Sequence, residues 1–493
     1  MLINARTREL PTRPALIATT TVAFTLFIAA FCKIASVNMT PFRAESGWFI
    51  ARAWAAGERL DFIKAFLLKA YNGHFTPFFF GSEFLQARMY GANEQLWFWR
   101  QMLVLGILAS ALFLLCRAVC LFTNLSRSSA SLVSATFPLL FILQPTVLEL
   151  AAWPFMAAQL LCLACAALSM SYTLNLIRTS ALRDATLALM WAYAAMHLSG
   201  IGFAVSITVL LSASAIVWAQ RLPRRFLLPI AAFAAVTLVH AAFMTTTDTP
   251  PSGAPQPLGT NIERLGALYM GSIQSGARSL WANGRFPWPN PAAYSVDAVY
   301  GIGLMSCVSV VFGLLLWHAK ALGRADLLVC ATLLALPALA LPMYCGMIVI
   351  RLHTVDDPNA IAPFLFGTRY LIFPAFFLFV SMLLALPTLA RILGRALIIP
   401  LALLAGSAGI ATFVFFSSVA TLWPYMAINA GDEWQNIVSQ ARTELVTEGH
   451  VMDRPMAALD PELQRNLSEY KALLETDLPC SNCVQFSPNK PDK

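Results

Sequence analysis

Charge is what this sequence lacks. Asp, Glu, Lys and Arg make up 12% of its 493 residues, against about 25% in ordinary soluble domains. Hydrophobic residues reach 58% and the mean hydropathy is +0.67, which excludes a conventional soluble enzyme. No Lys/Arg-rich run occurs, so the formal net charge of +8 does not point to nucleic acid. The residue-by-residue alternation of a transmembrane β-barrel is missing too. Glycine-rich phosphate loops, HExxH and GxSxG are all absent, which removes support for nucleotide, zinc or serine hydrolysis. Of the 10 cysteines, all but Cys480 and Cys483 fall in apolar runs, where Cys behaves as a small apolar residue. The remaining PCSNC pair offers too few ligands for structural zinc. It either closes a small disulfide in an oxidising compartment or has no function.

Apolar runs of spanning length are abundant instead, recurring from Leu16 to Ala420. Backbone amides in lipid must be satisfied within their own segment, so the chain reads as an all-α polytopic membrane protein. Eleven spans are expected, at about 16–36, 101–122, 130–144, 154–176, 185–198, 201–219, 226–244, 298–318, 327–350, 371–390 and 397–420. Arg6, Arg8, Arg13, Arg127, Arg178, Arg183, Arg221, Arg224, Arg225, Lys320, Arg324, Arg391 and Arg395 then fall at one set of span ends. The positive-inside bias makes that side cytoplasmic, with the N-terminus inside and, after an odd number of spans, the C-terminus outside. Residues 1–422 thus form a membrane domain with outer loops at 37–99, 246–297 and 351–370, and 423–493 a small, mostly helical outer tail. The amphipathic stretch 261–281 is expected to lie across the membrane surface.

The loop at 37–99 organises the rest. AESGWFIARAWAAGER (44–59) puts Glu45 just beyond the first span, followed by aromatic and basic residues at helical spacing. NGHFTPFFFGSEFL (72–85) then supplies a turn, His74 and a proline leading back towards lipid. Charge held at a membrane edge in so apolar a chain suggests one wall of an active site facing away from the cytoplasm. Glu45 has a plainer reading as a helix-start acid favoured by the macrodipole, His74 as a turn residue and Glu83 as an ordinary surface acid. Glu149, in the tight turn between the third and fourth spans, is a second candidate carboxylate or simply a polar turn residue. Trp153 and Gln159 just beyond it could line a sugar pocket, although Trp is common at this depth in any case. Asp356 and Asp357, with His353 nearby, could take a divalent cation or be solvated loop acids. His197 and His240 read as polar core residues.

The spacing Glu45, Trp48, Phe49, Ala51, Ala53, Gly57, with the returning NGHFTPFFF and the FGTRYLIFP of 366–374, resembles the GT-C superfamily of integral-membrane glycosyltransferases. The layout of spans and outer tail is similar as well. Most members carry paired carboxylates in the first loop, whereas Ala44-Glu45 supplies one. The resemblance implies inverting transfer of a sugar from a polyprenyl-phosphate donor to an envelope glycan, lipid or protein acceptor, at the outer face of a bacterial inner membrane. It points to Glu45 as the catalytic carboxylate and to Arg369 and Tyr370 at the opening of a late span, while the residues themselves add Glu149 as a second carboxylate and Arg351, His74, Trp153 and Gln159 as substrate contacts. No cofactor is required beyond a divalent cation, if one is used at all. A transporter or flippase for lipid-linked sugars competes with this reading, as does a non-catalytic membrane protein. Acidic residues are scarce inside the spans, which favours the enzyme.

Overall fold

In the computed structural model the described residues are 75–90, 94–121, 127–142, 156–244, 256–281, 339–350 and 368–393, with single positions at 67, 147, 150, 151, 352 and 355. Every element among them is helical. In chain order they are α1 (Pro77–Tyr90), α2 (Glu94–Cys120), α3 (Arg127–Ile142), α4 (Ala157–Thr179), α5 (Leu182–Leu198), α6 (Gly200–Ala219), a 3₁₀ turn (Arg224–Phe226), α7 (Leu227–Met244), α8 (Leu258–Trp281), α9 (Leu339–Ile350) and α10 (Thr368–Leu393). Four segments are long and apolar enough to cross a membrane: Leu96–Cys120, Ala157–Thr179, Gly200–Ala219 and Arg224–Met244. The chain is therefore a helical membrane protein. The first, eighth and eleventh expected spans and the tail, with Cys480 and Cys483, lie outside the described residues.

The helix of the second span begins at Glu94 and its apolar segment at Leu96, both earlier than the expected 101, with Trp97 and Arg100 buried. α4 sits in the middle of the bundle, packed by α2, α5 and α6. Small residues make this possible. Ser169 Oγ donates to Ala188 O at 2.7 Å, and Ser206 Oγ to Ala192 O at 2.8 Å, pinning α4 and α6 to the alanine face of α5. Such contacts contribute about 0.6 kcal/mol each in a membrane. Their larger effect is to let backbones approach closely. Cys116, Cys120, Cys162, Cys165 and Cys345 are buried and unbridged, as small apolar residues would be.

Two short connections close the far end of the bundle. Ser180 ends α4 in the left-handed region (φ 51°), where its N–H reaches Leu176 O. Gln220 donates through Nε2 to Ile177 O at 2.8 Å and accepts from Ser180 Oγ, tying the ends of α4 and α6 together. α7 buries a single stripe, Phe233, Thr237 and His240, at positions i, i+4 and i+7 of one face. It exposes Leu227, Leu228, Val236, Leu238 and Val239, a surface suited to lipid and costly in water.

α8 contains the stretch expected to lie across the membrane surface, and it packs on α9 and α10. Arg264 donates to Leu352 O (2.9 Å) and Val355 O (2.8 Å), just beyond the end of α9. Ser272 Oγ lies 3.8 Å from Cys345 Sγ, inside α9. Eight residues along α8 correspond to about 12 Å and the matching seven along α9 to about 10 Å, so the two helices run antiparallel, side by side. A Cβ on Gly276 would meet Pro374 and Leu378 of α10 within 3 Å. α8 is thus laid alongside α9 and α10. Phe137 and Phe141 of α3 meet Phe379 and Phe376 of α10, and Thr208 of α6 meets Met343 of α9. These contacts join the two groups of helices.

Candidate functional site

Of the 37–99 loop the structure describes position 67, Phe75–Tyr90, which carries α1, and the first residues of α2 from Glu94; α1 packs on α5. Pro77 suits the first helical position, where its missing N–H is not needed; Phe80 N–H closes the first turn onto Thr76 O. At its N-terminal side Phe75 and Phe78 pack on α5 and α7. One turn and a half further on, Glu83 accepts a hydrogen bond and salt bridge from Arg100 Nη2 of α2. Glu83 is 2% exposed. The surface-acid reading of Glu83 is therefore wrong: its partner lies 17 residues away and takes it into the interior.

The next residue of α2 grips a second segment. Gln101 Nε2 donates to Leu150 O (3.3 Å) and Ala151 O (3.1 Å), the residues directly after Glu149. Beneath Arg100, Trp97 offers its ring face 5.0 Å away, and Tyr90 closes on Trp97 edge-on at 5.4 Å. The head of α2 thus ties α1 to Leu150 and Ala151; these two and Val147 are helical, where a tight turn between the third and fourth spans was expected. Polar groups so buried are costly to strip of partners. Replacing Arg100 by Met alone is expected to destabilise the protein by about 3–5 kcal/mol, since it strands a buried carboxylate. Adding Glu83→Leu should restore most of the loss, as removal of both charges leaves nothing unpaired. Thermal unfolding of the detergent-solubilised variants checks this, and a double variant no more stable than the single one would refute it.

A second polar cluster lies at the same end. His197, at the close of α5, and His240, near the close of α7, face each other with ring centroids 4.9 Å apart. Phe75 touches both rings, Tyr193 packs on His197 at 4.3 Å, and Phe203 stacks on His240 at 5.6 Å. His197 is 6% and His240 1% exposed, and none of their four ring nitrogens has a hydrogen-bond partner among the described residues. The core position expected for them holds.

Of the residues marked out by the sequence, Gln159 lies in the first turn of α4, half-buried, with its Oε1 unpartnered among the described residues. Tyr370 is half-buried near the start of α10. One turn on, Phe373 faces the ring of Tyr344 at 5.7 Å. The backbone of Arg369 belongs to the first turn of α10. Glu45, His74, Glu149, Trp153, Arg351, His353, Asp356 and Asp357 lie outside the described residues. No group of three or more His, Cys, Asp or Glu side chains suited to a metal occurs among the described residues.

Arg100, Gln101 and the histidine pair were missed by sequence reasoning. The signal for Arg100 was present, a lone cation at the head of a span between Trp99 and Gln101. The signal for the histidines was their matching depth, each near the expected outer end of its span. No protein-family model matches the chain, and comparison with curated proteins gives no match.

Proposed function

We propose that the chain is a GT-C-type membrane glycosyltransferase that moves a sugar from a polyprenyl-phosphate donor to an acceptor on the outer face of a bacterial inner membrane. The observation that carries the reading is the head of α2. There, adjacent side chains hold the return of the 37–99 loop, through Arg100 and Glu83, and the two helical residues directly after Glu149, through Gln101. Glu83 and the two residues directly after Glu149 thereby meet at the head of α2, which supports a site at this end of the helices. Basic residues support the orientation. Arg117, Arg178, Arg183, Arg221, Arg224 and Arg225 all fall at the opposite end, which the positive-inside bias assigns to the cytoplasm.

The chemistry asks for few groups. The acceptor hydroxyl attacks the anomeric carbon, the bond from that carbon to the phosphate oxygen breaks, and polyprenyl phosphate leaves. Glu45 or Glu149 takes the acceptor proton as general base. Arg369, with Tyr370 and Arg351, neutralises the leaving phosphate, a task suited to a planar guanidinium fork. His74, Trp153 and Gln159 contact the sugar. A divalent cation, where one takes part, would sit at the donor phosphate.

The transporter reading keeps one observation in its favour. His197, His240 and the Glu83–Arg100 pair are buried ionisable groups in apolar surroundings, the kind that often mark a transport path. One experiment separates the two. Sealed vesicles holding the full chain are given a radiolabelled polyprenyl-phosphate sugar and envelope acceptor on the face opposite Arg221–Arg225. Label transferred covalently to acceptor, with free polyprenyl phosphate released, supports the transferase. Label that only crosses the membrane still attached to its lipid supports the transporter and sinks the enzyme.

A further inference from the structure

We infer that the two turns joining α4 to α5 and α6 to α7 form a binding site for the headgroup of an anionic phospholipid. The inference rests on the helical membrane class of the chain and not on the transferase reading. These turns and the helix ends beside them hold Arg178, Arg183, Arg221, Arg224 and Arg225, all exposed. The bonds of Gln220 to Ile177 and Ser180 bring the two turns to one place. The 3₁₀ turn (Arg224–Phe226) packs on α5 with Phe226 fully buried, so the backbone that carries Arg224 and Arg225 is pinned.

No carboxylate among the described residues neutralises this charge. Asp184 is the acid of the two turns, and it accepts from Thr179 Oγ1. Arg178 donates to a neutral acceptor, Asn175 Oδ1, at 3.4 Å. Arg183, Arg221, Arg224 and Arg225 make no salt bridge among the described residues. Like charges gathered on adjacent turns repel one another, and an anion seated among them removes that cost.

Backbone conformation is an independent observation. α6 ends in a Schellman turn, in which Leu222 N–H reaches Val217 O (3.0 Å) and Arg221 N–H reaches Trp218 O (3.2 Å). Such a turn puts one residue in the left-handed region, where glycine is favoured. Here that residue is Arg221, at φ 53°. The positive-inside bias asks only for charge in a loop. It does not ask for an arginine where glycine would be less strained, nor for two adjoining turns without counter-charge.

The apolar neighbours select the source of the anion. Trp218 (80% exposed) precedes the arginines, and Leu227 (52%) and Leu228 (76%) follow them. Trp suits the headgroup level of a bilayer, and the leucines suit the acyl chains beneath it. A soluble phosphate would use the arginines and leave these side chains in water. A phospholipid uses both, its phosphate oxygens matching the planar guanidinium fork.

The test uses the purified full chain in detergent, with native mass spectrometry reading the lipid retained after addition of phosphatidylglycerol or phosphatidylcholine. The parent protein should retain phosphatidylglycerol and release phosphatidylcholine. Arg221→Gln/Arg224→Gln/Arg225→Gln should weaken phosphatidylglycerol binding by about 100-fold, the usual effect of three basic residues at an anionic surface. Arg221→Gly relieves the left-handed strain, so it should melt no lower than the parent yet bind roughly fivefold more weakly. It keeps the test valid where the triple variant does not fold. Arg117→Gln removes an exposed arginine from the end of α2, at the same end of the bundle, and should leave binding unchanged. Equal retention of phosphatidylcholine, or undiminished binding by Arg221→Gly, overturns the site. So does a loss in Arg117→Gln as large as in Arg221→Gly, which would mean diffuse charge, or displacement of the lipid by inorganic phosphate, which would mean a soluble anion. Since no sugar transfer is measured, failure here leaves the transferase reading standing, and failure of that reading leaves this site standing.

Discussion

Glu45→Gln should lower sugar transfer by about 10²–10⁴-fold, the usual contribution of a general base, with expression and donor binding largely retained. The change keeps size and hydrogen bonding and removes basicity alone. Glu45 follows the first expected span by about nine residues, close enough to be held at the interface by Trp48 and Phe49. Glu45→Asp should keep partial activity, because only reach is lost. Steady-state release of polyprenyl phosphate measures both. A fully active Gln variant beside an inactive Glu149→Gln would move the base to the segment that Gln101 secures. If both Gln variants stay active, the transferase reading falls.

Helices were the legible part of this sequence, and partners were not. The expected span at 201–219 is α6 (Gly200–Ala219), and that at 226–244 is the 3₁₀ turn and α7 from Arg224 to Met244. Those boundaries could be read because runs of apolar residues end at Arg, Pro or Gly, which are local signals. Glu83 could not be read, since its fate depends on Arg100, a whole helix connection away. The same holds for α8. Its amphipathic pattern fits equally a helix on a membrane surface and one laid against α9 and α10 with a polar side chain, Arg264, turned inward to two carbonyls. Periodicity tells which face is buried; it does not tell what buries it. At the site, depth along a span brought His197 and His240 to the same level, while their pairing required knowing that α5 and α7 are neighbours.

Gly202 shows how little freedom those neighbours have, and Gly202→Ala should cost the protein its stable fold. A Cβ there would sit 1.9 Å from Ala195 O, 2.1 Å from Ala195 C and 2.5 Å from Met196 N. All three are backbone atoms, so no rotamer change relieves the clash. The two helices cannot part, because Ser199 alone joins α5 to α6 and Gly202 N–H is bonded back to Ser199 O at 2.8 Å. The last turn of α5 would have to unwind, carrying Met196 and His197 with it. Ordinary helix propensity predicts the opposite sign, since Gly→Ala inside a helix gains about 1 kcal/mol. Gly266→Ala on α8 is the matched control: nothing lies within 4 Å of a Cβ there, so it should be neutral or slightly stabilising. Melting temperatures of the two variants in detergent decide the matter. A Gly202→Ala protein that melts at or above the parent temperature would show that the α5–α6 contact is looser than its backbone geometry requires. A fall confined to Gly202, with larger residues such as Leu yielding no folded protein, would confirm that this close approach sets the position of the whole histidine end.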